Sequence, residues 1–331
     1  MFSEESDYNK SMKTRIYFLT LIPFILSLSG CIIKNKSNND ASSSKEISSS
    51  SQVEDLGPVD VVIISGQSNA VGCTHSIYLP DTVTSEKYNE YFNGYDDVKI
   101  AYDCWTKDWP ASGITYFSQN TSGAKNFVNV ELGQGNGTET FGPEIGISDA
   151  LHQKHANKLF LIKFACGGSN LKDDWLAKNS PMYPKLIDYV NLQMGNLENE
   201  GYKPTIKAFC WMQGEGDSYP GYYTSYQDNL RTFVSNIRSD LKDLSGKKEI
   251  PFIDAAINPD RSVWQYGPEV NEAKVAFAAE SENNFFIDTV AAGLHTDQEP
   301  TYSVDRCHYD SDSQIQLGHL FAEKIEPFLM K

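Results

Sequence analysis

The sequence has little positive charge and no long apolar run. Its 331 residues carry 28 Lys and Arg against 44 Asp and Glu, which gives a formal net charge of −16. We therefore expect no nucleic-acid partner, because binding a polyanion needs a basic surface. A neutral or weakly charged substrate suits this composition better. The apolar run at residues 16–28 is too short to span a membrane comfortably.

A metal-binding cysteine pattern is also missing. The six cysteines show no C-x-x-C spacing, which argues against a zinc site. We expect no metal and no cofactor. Five cysteines follow Cys31, and this odd number leaves at least one unpaired if the others pair within the chain.

Residues 1–31 have the pattern of a secretory signal. A basic segment at 12–15 precedes the apolar run, and Leu28-Ser29-Gly30-Cys31 resembles the bacterial lipoprotein box, whose cysteine is lipidated. The alternatives are an ordinary cleaved signal or an anchor helix without lipid. We expect export, with a lipid anchor on Cys31 holding the protein at the bacterial cell envelope or cell surface.

The rest of the chain divides into a tether and a folded domain. Residues 32–57 are polar and rich in serine, so they cannot bury a core and are predicted to form a flexible tether. Residues 58–331 alternate apolar runs with amphipathic stretches, which predicts an α/β fold with a parallel sheet covered on both faces. The predicted strands are 59–65, 99–102, 159–165, 206–212, 251–256 and 285–287. The predicted helices are 144–155, 181–197, 222–244, 268–282 and 313–328.

The segment 103–142 lacks this periodicity. It holds Trp105, Trp109, Tyr116 and Phe117 among Gly, Asn, Ser and Thr. A loop of this length in a compact domain is usually functional or disordered, and the aromatic side chains argue against disorder. Two interpretations stay open: a wall of an active-site cleft that stacks on sugar rings, or a loop that packs its own aromatics.

Ser68 is the residue from which a functional prediction starts. The run Val61-Val62-Ile63-Ile64 predicts a buried strand, and Gly66-Gln67-Ser68-Asn69 predicts the turn after it. Parallel sheets bind ligands at the carboxyl ends of their strands. A serine in this place is a nucleophile if a base reaches it; taken alone, it is more often a helix cap.

A candidate base stands near the C-terminus, in Asp305-Arg306-Cys307-His308. The spacing lets one short loop present both side chains. Asp305 could accept the Nδ1 hydrogen of His308, which leaves Nε2 to take the serine proton. The alternative for this weak motif is a pair of exposed loop residues without a function.

Two other predicted strand ends offer hydrogen-bond donors. Cys166-Gly167-Gly168-Ser169-Asn170 brings backbone N–H groups close to a ligand, and Gln213 could donate its side-chain amide to a developing oxyanion. The alternative in each case is a tight turn without chemistry. Glu215 and Asp217 could suggest a metal site or a carboxylate pair, but no other metal-ligand residues cluster with them, which favours a structural role.

Five segments in order carry a family resemblance. They are Gly66-Gln67-Ser68-Asn69-Ala70, Phe141-Gly142-Pro143-Glu144, Lys163 through Gly167-Gly168-Ser169, Trp211-x-Gln213-Gly214-Glu215-x-Asp217 and Asp305-x-x-His308. Together they resemble the sialate O-acetylesterase and acetylxylan esterase branch of the SGNH hydrolases, from about Asp60 to the C-terminus. The resemblance implies a flavodoxin-like three-layer α/β/α sandwich that removes acetyl groups from carbohydrates by a serine mechanism without metal.

The resemblance also implies roles for single residues. Ser68 would be the nucleophile, His308 the general base and Asp305 the group that orients it. The oxyanion hole would consist of the backbone N–H groups of Ser68 and Gly168 and the side chain of Gln213. Supporting roles fall to Gln67, Asn69, Glu144, Glu215 and Asp217.

The expected function is therefore carbohydrate O-acetyl ester hydrolysis through an acyl-serine, with an acetylated carbohydrate as the binding partner. Two alternatives stay open. One is a surface lipoprotein that binds carbohydrate with little or no activity. The other is an SGNH acyl hydrolase that acts on esters outside glycans.

Overall fold

The computed structural model describes residues 54–120, 123 and 125–330. The predicted signal peptide, the predicted lipidation site Cys31 and nearly all of the predicted tether lie outside the described residues, so these remain predictions. Tertiary contacts group Ser51–Lys331 as one unit. Among the residues that can be described, no helix is both long and apolar enough to cross a membrane.

A large, mainly parallel sheet forms the centre of the domain. Seven strands follow the order β10-β9-β8-β1-β7-β3-β4, and β5, the eighth, pairs with β3. β2 and β6 form a separate antiparallel pair. The strands in the described part of the chain are β1 (Gly57–Gly66), β2 (Thr74–His75), β3 (Tyr95–Asp108), β4 (Thr115–Asn120), β5 (Val128–Val130), β6 (Thr140–Phe141), β7 (Leu159–Gly167), β8 (Tyr202–Met212), β9 (Phe252–Ala255) and β10 (Asn284–Ile287).

The position of β1 follows from its composition. Its residues from Val59 to Gly66 are all buried, as expected for a strand covered on both faces. Two parallel neighbours flank it, β7 on one side and β8 on the other, and Gly66 pairs with both Ala165 and Met212. The carboxyl ends of these three strands therefore meet at one edge of the sheet.

The prediction of a loop at 103–142 is wrong. β3 continues to Asp108 and turns into β4, and these two strands pair in antiparallel fashion. The side chains of β4 alternate between exposed and half-buried positions as far as Gln119, so the strand has no continuous apolar run. The antiparallel β4 and β5 therefore extend one edge of a sheet whose other strands are parallel.

Helices cover the sheet on both faces, and the predicted α/β three-layer fold is confirmed. The helices are α1 (Ser68–Val71), α2 (Ser85–Asn93), α3 (Glu144–Leu151), α4 (Tyr183–Glu200), α5 (Tyr226–Asp240), α6 (Gly267–Ala278) and α7 (Ser311–Ile325). Short 3₁₀ segments lie at Ser76–Asp81, Glu215–Asp217, Tyr223–Ser225, Lys242–Ser245 and Glu326–Phe328, and a π turn at Leu171–Trp175.

All six predicted strands and five predicted helices occur, with ends displaced by a few residues. The sequence did not predict α2, because this helix buries only Tyr91 and shows no apolar stripe. Its N-cap is Thr84, whose hydroxyl accepts the Lys87 N–H at 3.2 Å. Two glycines, Gly146 and Gly318, allow α3 and α7 to cross in close contact.

Candidate active site

Ser68 lies where β1 ends, as the first residue of α1, and is half-buried. Gly66 makes this turn possible. Its φ is +141°, and an added Cβ would lie 2.0 Å from the Met212 carbonyl oxygen. The Gln67 N–H donates to that same oxygen at 2.9 Å. The turn that carries Ser68 is therefore attached directly to the end of β8.

Asp305 and His308 are in contact on the loop before α7. The Asp305 Oδ2 lies 2.5 Å from His308 Nδ1, and its Oδ1 accepts the Cys307 N–H at 2.9 Å. Burial alone would raise the pKa of Asp305, but the hydrogen bond and charge of His308 hold it below its usual value. The aspartate is thus ionised and orients the imidazole, leaving Nε2 on the opposite side of the ring.

Cys73 is a third group at this histidine. Burial alone would lower the pKa of His308, but the hydrogen bond with Asp305 and the neighbouring Cys73 raise the pKa above its usual value. Both Cys73 and Cys307 are free and half-buried. The proximity of Cys73 to His308 depends on the fold, because the two residues are far apart in the sequence.

Asn69 holds the His308 loop against the Ser68 turn. Its Oδ1 accepts the Tyr309 N–H at 3.1 Å, and its Nδ2 lies 3.4 Å from the Cys307 carbonyl oxygen. The same Nδ2 donates to Glu215 Oε1 at 2.8 Å. Burial raises the pKa of the Glu215 carboxyl. The backbone on both sides of His308 is therefore fixed to the residue next to Ser68.

The structure contradicts the prediction that Gln213 is an oxyanion donor. Gln213 is fully buried, and its Nε2 donates to Asp217 Oδ2 at 2.7 Å and to Gln67 Oε1 at 3.2 Å. Its Oε1 accepts from the Tyr226 hydroxyl at 3.1 Å. Both amide hydrogens of Gln213 are thus used inside the protein, and none is free for a substrate.

The side-chain amide of Gln67 lies next to that of Gln213. Its Oε1 accepts the backbone N–H groups of Gly214 at 3.3 Å and Gly216 at 3.1 Å, in addition to Gln213 Nε2. These donors fix which end of the amide is oxygen. Within the described ranges, Nε2 of Gln67 has no hydrogen-bond acceptor. A side-chain N–H group on the residue directly before Ser68 is therefore unpaired within this part of the chain.

Gly168 follows the neighbouring strand β7 and has a φ of +71°, a conformation that glycine adopts without strain. An added Cβ at Gly167 would lie 3.9 Å from the Ser68 Cβ, so the turn borders the serine. Asp217 supports this turn by accepting the Leu171 N–H at 2.6 Å. Burial raises the pKa of Asp217 to about 6, although these hydrogen bonds oppose the shift.

Lys163 is a buried lysine that fixes the C-terminal end of α1. The sequence did not predict a functional role for it. Lys163 Nζ donates to the carbonyl oxygens of Val71 at 3.1 Å and Gln134 at 2.6 Å, and it forms an ion pair with Glu144 Oε2 at 2.8 Å. Both side chains of the pair are fully buried. Two carbonyl oxygens and one carboxylate thus surround the ammonium group, which gives the predicted supporting residue Glu144 a structural role.

A second buried lysine, Lys274, fixes the chain at the end of β8. It is fully buried, and its Nζ donates to the Gln213 carbonyl oxygen at 2.5 Å, to Asp254 Oδ1 at 2.6 Å and to the Ala255 carbonyl oxygen at 2.7 Å. A single lysine in an apolar pattern carries no signal for such a role, so the sequence did not indicate it.

One group of the described side chains has the composition of a metal site. His295, Asp297 and Asp310 offer ligand atoms within 4.8 Å of one another. The Asp310 carboxylate already accepts the N–H groups of Gln298 at 3.0 Å and Glu299 at 2.9 Å, and lies 2.6 Å from His295 Nδ1. Because protein donors occupy this carboxylate, we assign no ion to the group.

One family model matches most of the chain. Residues 58–326 match the family model of the carbohydrate esterases described as sialic acid-specific acetylesterases. The chain belongs to this family. The match covers the sheet, the Ser68 turn and the Asp305–His308 loop of this carbohydrate esterase, and membership of the family supports a carboxylic-ester hydrolase.

Solved structures share the fold of the esterase at low sequence identity. A protein from Arabidopsis thaliana is 20% identical with a TM-score of 0.56, and the alignment covers 82% of this chain and 99% of that one. NanS is 14% identical with a TM-score of 0.54, over 82% of this chain and 97% of the other. The sequence matches no curated protein at a significant level.

Proposed function

We propose that the protein is a carbohydrate O-acetylesterase that uses Ser68, His308 and Asp305. The observation that carries the proposal is the 2.5 Å contact between Asp305 Oδ2 and His308 Nδ1, on a loop that Asn69 attaches to the Ser68 turn. Membership of a carbohydrate esterase family supports the acetyl ester as the substrate.

In the first half of the reaction, neutral His308 removes the Ser68 proton through Nε2 while Oγ attacks the acetyl carbonyl. A tetrahedral intermediate forms, and Asp305 stabilises the imidazolium. His308 then gives the proton to the departing sugar oxygen, which leaves an acetyl-serine. A water molecule, deprotonated by His308, attacks this ester and releases acetate and free Ser68.

Three donors would stabilise the developing oxyanion. Two are the backbone N–H groups of Ser68 and Gly168, and the third is the free Nε2 of Gln67. These groups stand at the ends of β1 and β7, which are fixed relative to each other by the sheet. A donor set of this kind needs no reorganisation during the reaction, which is why it accelerates acyl transfer.

We also propose that the esterase is exported and anchored through a lipid on Cys31, since Leu28-Ser29-Gly30 precedes this cysteine as in a lipoprotein box. Fractionation of cells that produce the full chain tests this. The wild-type protein should sediment with membranes, and Cys31→Ala should not. Equal distribution of the two would contradict the anchor.

A substrate panel tests the proposed activity. The wild-type enzyme should release acetate from acetylated saccharides and show little activity on butyryl or longer acyl esters. A preference for long acyl chains would favour an acyl hydrolase that acts on other esters. Glycan binding without acetate release would favour the carbohydrate-binding lipoprotein.

A further inference from the structure

An exposed tryptophan lies beside the proposed oxyanion hole. Trp109 directly follows β3, which pairs with β7 so that Thr106 stands opposite Gly167. The indole ring packs on the next glycine, since an added Cβ at Gly168 would lie 2.8 Å from Trp109 Cη2. Even so, Trp109 remains 59% exposed. A large apolar ring is thus open to solvent next to the turn that borders Ser68.

Buried charges hold this ring in place. Lys107 Nζ lies 5.5 Å from the Trp109 ring centroid and forms an ion pair with Asp174 at 2.7 Å, where both side chains are buried. Asp174 also accepts the Asn170 N–H at 2.7 Å and the Tyr116 hydroxyl. One carboxylate therefore connects the β3–β4 hairpin to the segment after Gly168, and Trp109 is positioned before any ligand binds.

The other aromatic residues of this segment do not offer such a surface. The Tyr116 hydroxyl is bound to Asp174, and the indole nitrogen of Trp105 is buried. Phe117 is 44% exposed but lies on β4, the outermost strand at this edge of the sheet. Trp109 is the residue of this group that combines exposure with contact to Gly168.

We propose that Trp109 is a binding subsite for the pyranose ring that carries the acetyl group. The inference rests on the proposed acetylesterase function and names how that site recognises its substrate. The C–H face of a pyranose is apolar and flat enough to stack on an indole, while its hydroxyls stay at the rim in water. A sugar stacked on Trp109 would place an attached acetyl ester over Gly168, next to Ser68.

The test compares an acetylated methyl pyranoside with ethyl acetate, which has the same acyl group and no ring. We expect Trp109→Ala to raise KM for the pyranoside about tenfold, equivalent to about 1.4 kcal/mol, at nearly unchanged kcat. The kcat/KM for ethyl acetate should stay at the wild-type value. Trp109→Phe should restore most of the pyranoside affinity. Phe92→Ala is the matched control. Phe92 is 62% exposed on α2, which precedes the start of β3 and so lies away from the carboxyl ends of the parallel strands.

Three results would overturn the subsite. The first is an unchanged KM for the pyranoside in Trp109→Ala. The second is an equal loss on both esters, which would show that the ring only supports Gly168. The third is a wild-type enzyme that hydrolyses ethyl acetate but no acetylated pyranoside, which leaves the esterase assignment intact. Full activity of Ser68→Ala on ethyl acetate would instead refute the proposed function.

Discussion

The side-chain amides of Gln67 and Gln213 are hydrogen-bonded to each other, with Gln213 Nε2 3.2 Å from Gln67 Oε1. This bond orients both amides. Gln213 donates its amide hydrogens to Gln67 and Asp217, whereas Nε2 of Gln67 has no acceptor among the described residues. We therefore propose that Gln67 donates to the oxyanion and that Gln213 positions its amide.

Gln67→Glu separates these roles. A glutamate retains an oxygen for the Gly214 and Gly216 N–H groups but has no hydrogen to donate. We expect kcat for an acetyl ester to fall on the order of a hundredfold or more. The exposed Gln316→Glu on α7 is the matched control. A Gln67→Glu enzyme with the kcat of the wild type would show that this amide does not contact the oxyanion.

Asn69→Asp tests the connection between Ser68 and the His308 loop. The new carboxylate would face Glu215 Oε1, now 2.8 Å from the amide nitrogen, in a buried site. We expect the free energy of unfolding to fall by about 1–3 kcal/mol. The loss should grow as the pH rises, because both carboxyls then ionise. Urea unfolding at acidic and neutral pH measures it, with the exposed Asn191→Asp as control. Equal stability of wild type and variant at both pH values would contradict the contact.

Cys73 should influence the pH dependence of activity. The reaction needs neutral His308, so kcat/KM falls as the pH drops below the pKa of this residue. The Cys73 thiol raises that pKa. Cys73→Ala should lower it and move the acidic limb of the pH profile to lower pH, whereas Cys73→Ser keeps a hydrogen-bonding group and should move it less. An acidic limb unchanged in Cys73→Ala would exclude an influence of the thiol on the base.

Much of the site could be predicted from the sequence because its signals are local. The strand before Ser68 is a run of buried β-branched residues that ends in Gly66. Asp305 and His308 are three residues apart on one loop, so their contact depends on little else. Gly167 and Gly168 mark the end of β7 in the same way.

Residues that depend on distant partners could not be predicted. The orientation of Gln67 is set by Gly214 and Gly216, which are far away in the sequence and adjacent only because β1 pairs with β8. Nothing near Lys163 in the sequence shows that its acceptors are Val71 and Gln134. The β3–β4 hairpin was not predicted because half of β4 faces solvent and its residues do not alternate between apolar and polar.

Lys163→Met should destabilise the fold strongly. The variant leaves the fully buried Glu144 carboxylate without its cation, and loss of one member of a buried pair typically costs about 3–5 kcal/mol. Denaturant unfolding measures the loss. Lys203→Met, which breaks an exposed pair with Asp55, is the control and should change stability little. Similar stability for both variants would contradict the structural role of Lys163.

The most direct test of the account is the rate of acetate release from an acetylated pyranoside by Ser68→Ala. Ser65→Ala is the matched control, since Ser65 lies in β1 and is fully buried. We predict that Ser68→Ala, folded as judged by circular dichroism, loses activity by several orders of magnitude, while Ser65→Ala retains the wild-type rate. Acetate release by Ser68→Ala at the wild-type rate would contradict the assignment of Ser68 as the nucleophile.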